Sequence, residues 1–137
     1  MIRIITGNPG EGKTKLLIDK ANETVKHLTG HAVYIDSCCS HRLALSHHIR
    51  LVETCPFKLD NTQHFFGFLC GLLASNHDIQ VVFIDELLKI THASIDELIV
   101  IVDEMKRLSN EFNVDFIIGA SCSNKDLPSQ MAPYLIA

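Results

Sequence analysis

Eight consecutive residues, Gly7-Asn8-Pro9-Gly10-Glu11-Gly12-Lys13-Thr14, satisfy the spacing G-x-x-x-x-G-K-[ST]. Each residue type has a part in holding phosphate. Glycines let a loop wrap so that successive backbone N–H groups point at anionic oxygens, and a helix starting directly afterwards turns its positive end to the same charge. The Lys13 ammonium would bridge the β and γ phosphates of a nucleoside triphosphate. The Thr14 hydroxyl would complete the oxygen shell of a Mg²⁺ ion on those phosphates. ATP with Mg²⁺ is therefore the expected ligand. The motif implies a bound nucleotide and leaves the reaction open.

A second constellation follows an apolar run, Val81-Val82-Phe83-Ile84-Asp85-Glu86. Side chains at the carboxyl end of a strand in an open α/β sheet enter the ligand crevice, so Asp85 can reach the Mg²⁺ region. Glu86 can orient, or take a proton from, a water aligned with the γ phosphate, the general-base role in hydrolysis. The plainer reading is that both acids open the next loop. After a later apolar run, Ala120-Ser121-Cys122-Ser123-Asn124 offers Ser121, Ser123 and Asn124 as residues that sense the γ phosphate, or simply as a polar turn.

These groups need a scaffold, and apolar periodicity supplies it. Strand-like runs occur at Arg3 to Thr6, Ala32 to Asp36, Ile79 to Asp85, Val114 to Gly119 and Pro133 to Ala137. Helical spacing predicts helices at Lys15 to Leu28, Leu43 to Val52, Gln63 to Leu73 and from Ser94 to Phe112. The last begins with a capping box, Ser94 with Glu97 three residues on, and carries Ile95, Leu98, Ile99, Val102, Met105, Leu108 and Phe112 on one face. Nearly continuous apolar strands imply a sheet covered on both faces, hence parallel strands between helix layers. Phe65, Phe66, Phe68, Leu69, Leu72 and Leu73 fit a helix packed on that core, the alternative being an exposed partner surface. With no repeat or linker, residues 1–137 read as a single nucleotide-binding domain.

The 137 residues are 47% hydrophobic, which excludes disorder, and the formal charge of −4 argues against a general cationic coat for nucleic acid. Nucleic acid remains a partner that the charge does not indicate. No apolar run approaches the ~18 residues of a membrane span. The amino terminus runs straight into the glycine motif instead of a secretion signal. Five cysteines without a framework spacing fit reduced thiols in a cytoplasmic protein. Cys38, Cys39, His41, His47 and His48 lie close in sequence, but their spacing matches no zinc finger, so they read as buried thiols beside solvated histidines.

From the nucleotide loop at Gly7 to Thr14, the acidic pair Asp85-Glu86 and the polar-ended strand before Ser121, the chain resembles P-loop NTPases of the RecA-like, ASCE division. The likeness is closest to the ATPase core of DnaB-type replicative helicases. Ile4 through Thr14 looks like their nucleotide loop, and Leu108-Ser109-Asn110-Glu111-Phe112-Asn113-Val114 through Ile117 looks like their passage into the sensor strand. The resemblance implies a three-layer αβα fold with a five-stranded, mostly parallel sheet of order 5-1-4-3-2. It also implies a Mg²⁺-dependent ATPase acting as a homo-oligomer or with a larger protein partner.

Two departures bear on the reaction. The helicases' catalytic glutamate position falls on Cys38, and their sensor glutamine falls on Ser121. Glu86 beside Asp85 instead looks like the pair in AAA+, FtsK-like and Zot-like ATPases, the last being filamentous-phage assembly proteins. Catalysis is thus expected from Glu86 and Lys13. Nucleotide binding is expected from Gly7, Asn8, Pro9, Gly10, Glu11, Gly12, Lys13, Thr14 and Ser121, and metal binding from Thr14 and Asp85. The arginines Arg3, Arg42, Arg50 and Arg107 are placed poorly for their own nucleotide, so the expected reaction is slow hydrolysis. The alternatives are a nucleotide-dependent regulatory or phage-assembly module that does not hydrolyse, and a small-molecule (nucleoside) kinase.

Overall fold

The computed structural model of the chain describes residues 1–8, 12–38 and 41–136. Five strands, β1 (Ile2–Gly7), β2 (His31–Asp36), β3 (Ile49–Glu53), β4 (Ile79–Ile84) and β5 (Asp115–Ser121), form one all-parallel sheet. Four α-helices connect them: α1 (Lys13–Val25), α2 (Thr62–Ser75), α3 (Leu87–Thr91) and α4 (Leu98–Phe112).

Alternation along the strands divides the core in two. Ile5, Ala32, Tyr34, Val81, Phe83 and Ile117 pack against Leu17, Ile18 and Ala21 of α1. Their neighbours Ile4, Val33, Ile35, Val82, Ile84 and Phe116 face the opposite way, onto Phe65, Leu69, Leu98, Val102 and Met105 of α2 and α4. Both faces of every central strand are thereby covered, and the strand sequences are correspondingly apolar throughout.

The strand order is β1-β5-β4-β2-β3, which differs from the expected 5-1-4-3-2. Two local corrections account for this. Leu43 to Val52, read as a helix, gives only a single 3₁₀ turn at Arg42–Ala44 before Ile49–Glu53 pairs with β2 as an edge strand. Ile49 and Val52 are β-branched, and Arg50 stands in solvent, which suits an edge better than a helix. Pro133 to Ala137, read as the fifth strand, instead begins inside the 3₁₀ turns at Ser129–Tyr134. Pro133 has no N–H to give a ladder, and Leu135 alone bridges Ile4. Ala137 lies outside the described residues. The predicted first, fourth, third and second strands become β1, β5, β4 and β2, side by side.

The edge strand also overturns the expectation of reduced thiols. Parallel pairing of β2 with β3 brings Cys38 and Cys55, each two residues past its strand, to a Cα separation of 5.9 Å, and they form a disulfide. Cys70 and Cys122 are free. Elsewhere, Glu97 reaches back to the Ser94 amide at 3.3 Å, as the capping box requires, and a 3₁₀ turn at Ile95–Glu97 leads into α4. Helix α1 starts at Lys13, two residues before the predicted start. No helix among the described residues is long and apolar enough to cross a membrane.

Candidate functional site

The carboxyl ends of four neighbouring strands meet at one edge of the sheet. They carry Gly7 on β1, Ser121 on β5, Asp85 and Glu86 directly after β4, and Asp36 on β2. Helix α1 begins at the same edge, and its first residue is Lys13. Of the glycine motif, Gly7, Asn8, Gly12, Lys13 and Thr14 are described; Pro9, Gly10 and Glu11 lie outside the described residues. Gly12 caps α1 in the left-handed region at φ 82°, a conformation that glycine takes without the Cβ penalty.

Lys13 is 5% exposed. Its Nζ donates to the Asn8 carbonyl at 3.4 Å and lies 3.6 Å from Glu86 Oε1. The other Glu86 oxygen, Oε2, accepts from the Ser121 hydroxyl at 2.6 Å. Glu86 itself adopts a left-handed backbone, φ 58° and ψ 51°, which is costly for a residue with a Cβ by about 1 kcal/mol or more. A buried ammonium requires an anion or several hydrogen bonds in place of water. Here a carboxylate on a strained turn supplies the anion. Ser121 is thus turned into the site. By contrast, the Ser123 hydroxyl bonds Asp126 at 2.9 Å, and Asn124 accepts from the Thr6 hydroxyl.

Asp85 is 1% exposed. The Tyr34 hydroxyl donates to its Oδ2 at 3.1 Å, while Oδ1 is buried with no hydrogen-bond partner among the described residues. A Cβ on Gly119, on the neighbouring strand, would sit 3.4 Å from that same Oδ1, in ordinary contact. Burial pushes the Asp85 carboxyl above its ordinary range. The nearby hydroxyls of Thr14 and Tyr34 and the Lys13 ammonium oppose the rise, and Glu86 adds to it. An orphaned buried carboxylate oxygen beside a hydroxyl is a hard oxygen donor set, and it fits Mg²⁺ with Thr14 and Asp85 as the residues that would hold it.

Asp36 was not among the residues singled out from sequence. It is buried at the end of β2, next to the Asp85 strand, and its carboxylate accepts the Ser37 amide at 2.7 Å. Burial, reinforced by Asp85 and Glu86, pushes it up to about 6, against the pull of the Ser37 N–H and Lys89. The signal was present: Ala32 to Asp36 is an apolar run ending in a carboxylate, the same pattern that marked Asp85. Cys38, the residue at the helicases' glutamate position, is tied to Cys55 and has no thiol to act as a base. Those two sulfurs and the Glu53 carboxylate lie within 4.8 Å of one another, but Glu53 is engaged by Arg42.

No family model matches the chain, and no curated protein matches it in sequence.

Proposed function

We propose that this chain is a nucleotide-binding protein of the P-loop type, related to the RecA-like, ASCE division, that binds ATP with Mg²⁺ and hydrolyses it slowly. The observation that carries this reading is the buried Lys13 ammonium at the head of α1, held by Glu86 beside an orphaned Asp85 oxygen. Supporting it is the strand arrangement: β5, which ends at Ser121, separates the loop strand β1 from the acidic strand β4.

Anionic phosphate oxygens take over Lys13 from Glu86 when the nucleotide enters. That exchange replaces one charge-assisted contact with another, so the buried ammonium is never left unpaired. Thr14 and Asp85 are the residues that would hold Mg²⁺, which would supply neutralisation of the phosphate charge when bound. Glu86, released from Lys13 and still bonded to Ser121, then orients a water toward the γ phosphate as general base. Gly7, Asn8 and Gly12 place backbone groups around the phosphates, with Pro9, Gly10 and Glu11 completing the motif.

The tie between Glu86 and Lys13 specifically favours a second reading, a regulatory module in which ATP changes the shape of this edge with little turnover. Phosphate release from ATP with Mg²⁺, without any acceptor, separates the two: steady release supports the ATPase, and saturable ATP binding without release supports the module. Phosphate transfer to an added nucleoside, in place of release, would support a kinase.

A further inference from the structure

Beyond the carboxylates, the same sheet edge opens into a cleft of about 360 Å³ that the proposed ATPase does not use. Its walls come from three segments: Ser37 after β2, Thr54 to Asp60 after β3, and Lys89 to His92 at the end of α3. Lys58, Lys89 and His92 make no hydrogen bond or ion pair among the described residues, although all three line this one cleft. Asp60 is the single acid among the lining residues. Leu59 and Ile90 provide apolar wall, and Ser37 and Thr54 provide hydroxyls.

Among the described residues, four non-glycine residues have positive φ: Lys58 (51°) and His92 (55°) line this cleft, Glu86 (58°) precedes α3, and Asn113 (54°) follows α4. Lys58, His92 and Asn113 each cap the end of a helical segment, the 3₁₀ turn Cys55–Phe57, α3 and α4 respectively. Left-handed backbone at such residues persists where the surrounding structure enforces it, and it clusters at ligand clamps. Lys58 and His92 thus line the cleft from two separate turns, one after β3 and one after α3.

We propose that this cleft is a second ligand site, for a small phosphate monoester, adjoining the nucleotide site at Asp36 and Lys89. Two lysines and a histidine suit a compact phosphate dianion, which needs point charges more than a planar fork. The volume is in the range of small-molecule sites, and the Leu59 and Ile90 wall accommodates the organic body of a monoester. The inference goes beyond the ATPase reading and does not depend on Lys13.

Isothermal titration with AMP and, separately, ribose 5-phosphate tests it, using the parent, the double variant Lys58→Ala/Lys89→Ala and Lys13→Ala. The expected result is saturable binding of at least one monoester, weakened at least tenfold in the double variant and changed less than twofold in Lys13→Ala. AMP alone binding identifies a nucleotide as the source, and equal binding of both identifies the sugar phosphate they share. ATP affinity in the double variant should stay within a few-fold of the parent, so a failure here and a failure of the nucleotide reading are distinguishable. The proposal is overturned if neither monoester binds, if inorganic phosphate binds as tightly as either, or if the monoester site is lost with Lys13 and kept without Lys58 and Lys89.

Discussion

At the scale of single residues, Glu86 occupies two positions at once in the chemistry of the site. It pairs with Lys13 in the free protein and, in the proposed ATPase, is the residue that would act as base. A base acts chiefly in the transition state, so Glu86→Gln should lower phosphate release by roughly 10²–10⁴-fold and leave ATP affinity within a few-fold. Cys38→Ser should leave the rate per folded chain unchanged. A rate that survives Glu86→Gln and vanishes in Cys38→Ser would move the chemistry elsewhere. Asp36 gives a separate test through pH. Its folded value of about 6 lies above the ordinary 3.8, so the folded chain holds the proton more tightly than the unfolded one. Stability on this account falls as pH rises from about 4 to about 6 and is level above that, with a loss of about 1–3 kcal/mol after solvent screening. Urea unfolding of Asp36→Asn should show a gain of that order at pH 7 and none near pH 3.5; parallel profiles for variant and parent would contradict it.

At the scale of elements, the turns beyond β2 and β3 decide the shape of this edge. Thr54 donates its N–H to the Asp36 carbonyl at 2.8 Å and Cys55 donates to Ser37 at 2.9 Å, so the pairing runs on past both strands into the disulfide. Cys38 and Cys55 are 17 residues apart, and closing a loop of that size is worth about 3 kcal/mol in the chain-entropy description. Reduction, or Cys38→Ser, should lower the melting temperature by about 10 °C, read by thermal unfolding with and without a dithiol reductant; an unchanged melting temperature in the variant would show that the link carries no stability. This region was also where the sequence was least legible. Strands β1, β2, β4 and β5 and helix α4 announce themselves because each is a sustained apolar pattern with a clear boundary, such as the Ser94 and Glu97 cap. Ile49–Glu53 does not, because five residues with one exposed arginine fit a short helix and an edge strand equally well until β2 is present to pair with it. The Cys38–Cys55 link was invisible for the same reason. Lys13, Thr14, Asp85 and Glu86 could be singled out because their spacing is local. Asp36 became conspicuous only when β2 was laid beside β4, and the Lys58, Lys89 and His92 cleft required three segments distant in sequence.

At the scale of the whole molecule, no hydrogen bond or ion pair joins an arginine to Asp85, Glu86 or Ser121 among the described residues. Arg42 is paired with Glu53, Arg107 is paired with Glu104, Arg3 lies near the start of β1, and Arg50 lines a pocket with His31 and Ile79 at the starting ends of β2 and β4. An arginine at the phosphate edge is typically worth 10³–10⁵ in rate when a partner or neighbouring subunit supplies it. The isolated chain should therefore be a poor ATPase whose rate per chain rises with protein concentration or with an added partner; a fast rate in a dilute sample shown to be monomeric would contradict this. The catalytic expectations rest on ATP binding at Lys13, and calorimetric titration with ATP and Mg²⁺ of the parent and of Lys13→Ala tests that most directly. Loss of one charge-assisted phosphate contact, worth roughly 1.5–3 kcal/mol, should weaken binding at least tenfold while the variant stays folded. Equal affinity in a folded Lys13→Ala, or no ATP binding by the parent, would contradict the account.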